Sequence, residues 1–292
     1  MIDLHSHILP GIDDGAADVG ASLQMARAAV GGGVQVMACT PHIMQGLWNN
    51  TGPDIRRATE VLQGALDTEG VPLKLVTGAD LHVVYDMLDG LRSGRFLSLA
   101  DSRYVLLELP HHVAPARIDD CFYGLLAAGF VPILTHPERL TWLEAHYASV
   151  KRLAASGVWM QITAGSLLGS FGRRARYWGE RMIAEGLAHI LASDAHDTDR
   201  RPPDLAEGRE AAAQLVGDEE AHHLVFTRPY GIIQNQPPSE LPQPLSESRI
   251  HDDYVEDRPG RPVDAEEGHP AAAGTRSLDI VGRMRRIVGQ IR

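Results

Sequence analysis

His5 and His7 stand two residues apart in the opening run M-I-D-L-H-S-H-I-L-P-G-I-D-D. Side chains alternate faces along a strand, so if the β-prone Ile2–Leu4 run carries through them, both imidazoles point the same way and can grip one metal ion. The turn at Pro10-Gly11 and the doublet Asp13-Asp14 then set oxygen ligands beside the nitrogens. A lone His-x-His is weak support, but the theme recurs. His42 follows T-P, Asp80 follows G-A, Glu108 sits near the end of Y-V-L-L-E-L, His136 opens H-P-E-R, and Asp194 and His196 share S-D-A-H. Imidazole and carboxylate without thiolate favour manganese, iron or zinc over copper(I), an iron–sulfur cluster or calcium.

The elements that must position these groups follow one pattern. Val34–Thr40, Leu73–Thr77, Tyr104–Leu109, Val131–Thr135, Val158–Thr163 and His189–Ala192 read as β-prone runs, and all but Val158–Thr163 deliver a candidate ligand at or just past the carboxyl end. Helical spacing occupies the intervals: Val19–Val30 before a Gly31-Gly32-Gly33 stop, then Pro53–Glu69, Ile118–Ala128, Trp142–Ala155 and Arg174–Glu185. Two further helices are expected over Leu205–Val216 and Glu219–Phe226. Strands alternating with helices imply right-handed βα units and a parallel sheet or barrel, and about seven units suit a closed, irregular one. In a parallel barrel the carboxyl ends share one face, so the scattered ligands converge there. Asp14, in the loop after the first strand, is the exception to the strand-end rule.

Composition narrows the function classes. The chain of 292 residues has 44% hydrophobic and 22% charged residues, enough for a sizeable core, and its net charge of −11 argues against general nucleic-acid binding. Cys39 and Cys121 are too few for a disulfide framework. A phosphatase thiolate needs Arg at the sixth following position, where Gln45 and Ala127 stand. The start lacks a basic region followed by a continuous apolar run, and no stretch approaches ~20 apolar residues, so a cytoplasmic location is expected. The Gly31–Gly33 triplet lacks a P-loop's Lys-Ser/Thr.

Proline punctuation begins at Pro229, and the folded body is expected to span residues 1–236. Residues 237–274 are rich in Pro, Asp, Glu, Arg and Ala, a composition that reads as a disordered linker. Residues 275–292 differ: Ile280, Val281, Met284, Ile287, Val288 and Ile291 line one helical face, with Arg283, Arg285, Arg286 and Arg292 between. Such a basic amphipathic helix has three readings: a homo-oligomer contact, a partner-binding helix, or a face lying on anionic lipid at the inner side of the membrane.

The ordered motifs H-S-H, D-D-G, T-P-H, G-A-D, L-E-L, T-H-P-E-R and S-D-A-H resemble the polymerase and histidinol phosphatase (PHP) superfamily. H-S-H-I-L-P-G-I-D-D-G, D-S-R-Y-V-L-L-E-L and S-D-A-H-D-T-D-R-R-P-P are similar, more narrowly, to the CpsB/YwqE-type bacterial protein-tyrosine phosphatases, over about Met1–Gln236. The resemblance implies an α/β fold, a distorted (β/α)7 barrel, with three divalent ions, usually manganese. It further implies hydrolysis of phosphotyrosine on a kinase controlling capsule or exopolysaccharide synthesis. Carried over by motif, His5, His7, Asp80 and Asp194 hold one ion; Asp80, Glu108 and His136 a second; Asp14, His42 and His196 a third. Arg139 and Arg201 match the phosphate-binding arginines, whose planar guanidinium groups donate paired hydrogen bonds. The family usually has Glu where this chain has Asp80. Hydroxide generated at the metals is the expected nucleophile, with no covalent cysteine intermediate. Two rival readings share the motif set: a small-molecule phosphoesterase of the histidinol-phosphatase kind, and a metal-binding regulatory protein without turnover.

Overall fold

The computed structural model describes residues 1–84 and 86–245. Nine parallel strands are present among them: β1 (Ile2–Asp3), β2 (Val36–Cys39), β3 (His42–Ile43), β4 (Lys74–Thr77), β5 (Asp80–His82), β6 (Tyr104–Glu108), β7 (Val131–Thr135), β8 (Trp159–Thr163) and β9 (Ile190–Ala192). They make seven staves, because two pairs are single strands interrupted. Pro41 cannot donate to a ladder, so the second stave breaks between β2 and β3. The third breaks at Gly78-Ala79, where a Cβ on Gly78 would stand 2.9 Å from both Leu99 and Thr40 side chains. The breaks split the ladder into β1-β2-β4 and β3-β5-β6-β7-β8-β9.

The ring closes between the first and last staves. Ser6 bridges Ala195 in parallel, Asp194 N donates to His5 O at 2.9 Å, and His7 N donates to Ala195 O at 2.8 Å. Below this seam the buried Asp3 carboxylate accepts from Ser193 N (3.1 Å) and Ser193 Oγ (2.5 Å). The result is the expected distorted (β/α)7 barrel.

Alternation along the staves sorts the core from the site. Tyr104, Leu106, Ile133, Trp159 and Ile190 form the apolar floor inside the barrel, with Ile2, Leu4 and Ala38. Val105, Leu107, Leu134, Met160, Ile162 and Leu191 face the helical shell. Continuing the inward series by two residues reaches Glu108, Thr135 and Gln161, by four from Ile190 it reaches Asp194, and in the third stave Val76 leads through Gly78 to Asp80 and His82. The first stave departs from this rule: Ile2 and Leu4 belong to the floor, yet His5 and His7 enter the site, so the alternation slips by one residue beside the seam.

The shell consists of α1 (Val19–Gly31), α2 (Gly52–Thr68), α3 (Met87–Arg92), α4 (Ile118–Ala127), α5 (Leu143–Ala155), α6 (Ala164–Leu168), α7 (Gly172–Ala184), α8 (Leu205–His222) and α9 (Arg228–Ile233). Asp18 and Thr51 cap α1 and α2 by accepting from Ala21 N and Asp54 N. In place of two helices from Leu205 to Phe226, α8 runs through to His222 with a kink at Gly217 (φ 83°). The chain then continues to α9 without an intervening loop, through one π-helical turn, His223–Thr227. The body also extends past Gln236 into the first residues expected as linker. Leu241 is buried with Ile232 on the barrel floor, and Arg228 Nε donates to Pro242 O at 2.7 Å. The remaining linker and the amphipathic stretch 275–292 lie outside the described residues. No helix among the described residues is long and apolar enough to cross a membrane.

Candidate metal centre and phosphate site

All nine ligands expected from the sequence meet at the carboxyl ends of the staves. His5 Nε2 and His7 Nε2 each lie 3.4 Å from Asp194 Oδ1, and His5 Nε2 lies 3.5 Å from Asp80 Oδ2. On the neighbouring side Asp14 Oδ1 is 3.5 Å from His42 Nε2 and 3.3 Å from His196 Nε2. Glu108 Oε1 is 3.7 Å from His136 Nε2, completing the third corner. Such separations, wider than hydrogen bonds, are what donor atoms around a shared cation adopt.

Second partners fix the imidazoles. Gln161 Oε1 takes His5 Nδ1 at 2.9 Å and Asp13 Oδ2 takes His7 Nδ1 at 2.7 Å, which leaves both Nε2 atoms facing the cluster. Asp13 also accepts from Gly15 N and His42 N, so the acidic doublet divides its work: Asp13 orients, Asp14 faces the histidines. Gly15 packs so tightly on His7 that a Cβ there would fall 2.0 Å from His7 O. His136 (φ 34°) and Asp194 (φ 54°), each just past the end of a strand, occupy left-handed backbone.

Fit to a cation can be judged from what the buried groups lack. His42 Nδ1, both Asp80 oxygens, His82 Nε2, Glu108 Oε2, His136 Nδ1 and His196 Nε2 are buried without a hydrogen-bond partner among the described residues. Each such orphan costs roughly 1–3 kcal/mol, and more if charged. His82 Nε2 and Glu108 Oε2 pair with each other at 2.5 Å, but the other five are tolerable only if something positive joins them. The donor set, imidazole and carboxylate, suits manganese, iron or zinc.

Electrostatics agree. Burial opposes charge on Asp14 and Asp194, yet each is held well below the usual carboxylate range, Asp14 by His196, His42 and His7, and Asp194 by His5, Arg201, His7 and Arg139. Burial likewise disfavours the charged form of His7, but Asp13 and Asp194 outweigh it and raise the imidazole to about 10. His42 is lowered to about 4 by burial and by His7.

Arg139, just past β7, and Arg201, in the loop after β9, both donate to Asp194 Oδ2, the oxygen that does not face His5 and His7. Phe171 lies beneath them, 4.3 Å from the Arg139 guanidinium and 5.9 Å from that of Arg201. The Arg139 side opens into a pocket of about 310 Å³ lined by His111, Glu138, Thr141, Phe171 and Arg174.

The CpsB/CapC family model, described as capsular polysaccharide synthesis, matches residues 1–234. The chain belongs to the CpsB/CapC family. Among curated relatives it is 33% identical to the tyrosine-protein phosphatase YwqE of Bacillus subtilis, over 86% of this chain and 98% of that one. It is 30% identical to the tyrosine-protein phosphatase CpsB of Streptococcus pneumoniae, over 81% and 99%. A solved structure from work on YwqE and CpsB, described as metal-dependent tyrosine phosphatases, superposes with a TM-score of 0.78 at 33% identity, covering 84% of this chain and all of that one.

Several residues around the site escape motif reading. Family motifs do not single out His82, but alternation places it on the same face as Asp80. Gln161 is a polar residue on the inward face of an otherwise apolar strand. His111, three residues past Glu108, donates from Nε2 to Glu108 Oε1 at 3.1 Å and lines the pocket mouth. Phe171 carries no signal in sequence, since only folding brings it under the arginines. His189, by contrast, is a core histidine stacked on Trp159, its Nδ1 accepting from Met160 N. Neither thiol is a nucleophile: burial pushes Cys39 up to about 12 and also raises Cys121.

Proposed function

We infer that this chain is a metal-dependent protein-tyrosine phosphatase. The observation that carries the reading is the juxtaposition, across Asp194, of a cation-demanding cluster of histidines and acids with two arginines, of which Arg139 opens onto a pocket. A phosphate monoester requires both walls, one to activate water and one to neutralise its oxygens. His5, His7, Asp14, His42, Asp80, Glu108, His136, Asp194 and His196 would hold the ions, three in number and manganese by preference. When bound, divalent ions supply Lewis acidity, making water nucleophilic near neutral pH and drawing charge from phosphate.

The chain's own groups do the rest. Arg139 and Arg201 donate to the phosphate oxygens, and Phe171 holds the guanidinium planes against the pocket wall. The pocket accepts the aromatic side chain, with His111 and Thr141 at its edge. Attack at phosphorus in line with the departing phenolate needs no covalent intermediate, and a phenolate of solution pKa ~10 leaves without strong acid assistance. The substrate proposed is a tyrosine-phosphorylated protein, a kinase governing capsule or exopolysaccharide assembly.

The test is release of phosphate from tyrosine-phosphorylated peptides by manganese-reconstituted protein beside its His136→Ala variant. Wild-type activity with a loss of at least ~100-fold in the folded variant supports the assignment. Faster turnover of histidinol phosphate would move the protein to the small-molecule phosphoesterases, and no metal-dependent turnover would leave a regulatory protein.

A further inference from the structure

We propose that His82 is itself a metal ligand, joining Glu108 and His42 around the ion that Asp80 and Glu108 face. The proposal rests on the metal reading above but adds a donor to it. Strand pairing places the residue. β3 and β5 align His42 with Asp80, and β5 and β6 align His82 with Glu108, so four potential ligands occupy adjacent positions on three neighbouring strands. Asp80 and His82 are two residues apart on β5 and therefore share the inward face.

The side chains converge accordingly. His82 Nε2 lies 2.5 Å from Glu108 Oε2, while His42 Nδ1 is 3.4 Å from the same oxygen and 3.5 Å from Asp80 Oδ2. One donor atom each from His42, His82 and Glu108 falls within 4.8 Å of the others. The close approach of His82 to Glu108 lacks hydrogen-bond geometry. Both atoms, together with His42 Nδ1 and both oxygens of the wholly buried Asp80, are buried without partners among the described residues. An ion pair alone would account for His82 and Glu108; it would leave His42 Nδ1 and Asp80 bare. A cation at this point engages all of them; His42, whose Nε2 faces Asp14, would then bridge two ions as an imidazolate, its remaining ring proton released to solvent.

The surroundings suit a ligand better than a substrate contact. The His82 side chain is 16% exposed, its ring centroid lies 5.3 Å from that of His42, and Trp48 stacks on the His42 ring at 4.7 Å. The pocket beside Arg139 is lined by other residues.

Two variants of the full chain test this. Manganese titration by calorimetry, with metal content measured after gel filtration, should show one ion held about 10- to 100-fold more weakly in His82→Ala than in wild type, and unchanged in His112→Ala. Because a residue that only orients Glu108 would also weaken binding, His82→Cys is loaded with cadmium. A direct ligand then gives an ultraviolet thiolate-to-metal absorption absent from cadmium-loaded wild type. Unaltered manganese binding by folded His82→Ala, or no such absorption in folded His82→Cys, would overturn the proposal. Neither readout involves phosphatase activity, so failure of the functional reading leaves a separate signature.

Discussion

At the scale of single residues, the partners behind the ligands set the chemistry. Asp13 keeps His7 protonated to about 10, so an ion entering this site must displace a proton. The folded apo protein binds that proton throughout neutral pH, and apparent metal affinity therefore rises with pH. Calorimetric titrations at pH 6, 7 and 8 should show it strengthening by up to about tenfold per unit, with proton release that scales with buffer ionisation enthalpy. Asp13→Asn weakens the partner's pull and should flatten this dependence while costing about 10- to 100-fold in affinity. Arg201→Lys keeps the charge but loses the planar fork, and kcat/KM on a phosphotyrosine peptide should fall about 10- to 100-fold. The candidate ligands other than Asp14 were legible because each stands at or just past the end of a β-prone run inside a short motif. Asp13 and Gln161 were less so, and His82, which lacks a strand-end motif, reads in the sequence as an ordinary polar or packing histidine. Phe171 was not legible at all, because its role depends on a meeting between α6, α7 and the β7 and β9 ends.

At the scale of elements, the long helices were readable and the short ones were not, while the short strands β1 and β9 were legible as the Ile2–Leu4 and His189–Ala192 runs. The helices of 10 to 18 residues carry enough turns for apolar periodicity to register, whereas α3, α6 and α9 have 5 or 6 residues. Strands of 2 or 3 residues such as β3 and β5 exist only because neighbouring staves pair with them. Gly217 misleads in the other direction: its left-handed φ imitates a helix stop, but packing carries α8 through the kink. The junction of β7, β8 and α6 yields a prediction. Glu138, wholly buried, is raised by burial to about 7, despite Thr163 N and Ser166 Oγ donating to its Oε1. Its folded value lies above the ordinary carboxyl value of 4.5. The folded state thus binds more protons than the unfolded one across that interval, and its contribution is complete below about 4.5 and lost as pH rises through about 7. Glu138→Gln, isosteric and neutral, should match wild type near pH 4.5 and exceed it at pH 8 by an amount up to about 3 kcal/mol in urea unfolding.

At the scale of the whole molecule, cations would tie together every stave of the ring except β8. Ions that bind only the folded state at a hundred times their dissociation constant add about 2.7 kcal/mol each. For a barrel of this size, that corresponds to roughly 5–10 °C per ion, so chelation of all three with EDTA should lower Tm by roughly 15–30 °C, and manganese should restore it. Gly15→Ala, which drives a methyl into His7 O, should forfeit much of that manganese-dependent gain. The seam between the first stave and β9 has a further bearing on how the molecule comes into being. Asp3 and Ser193, the latch below the seam, are 190 residues apart in the chain. During vectorial synthesis the amino-terminal stave leaves the ribosome first and waits for its last neighbour longer than any other. Contacts of such high order close late. Ribosome-stalled nascent chains ending before β9 should therefore bind manganese poorly, and acquisition of the ions would report that the ring is complete.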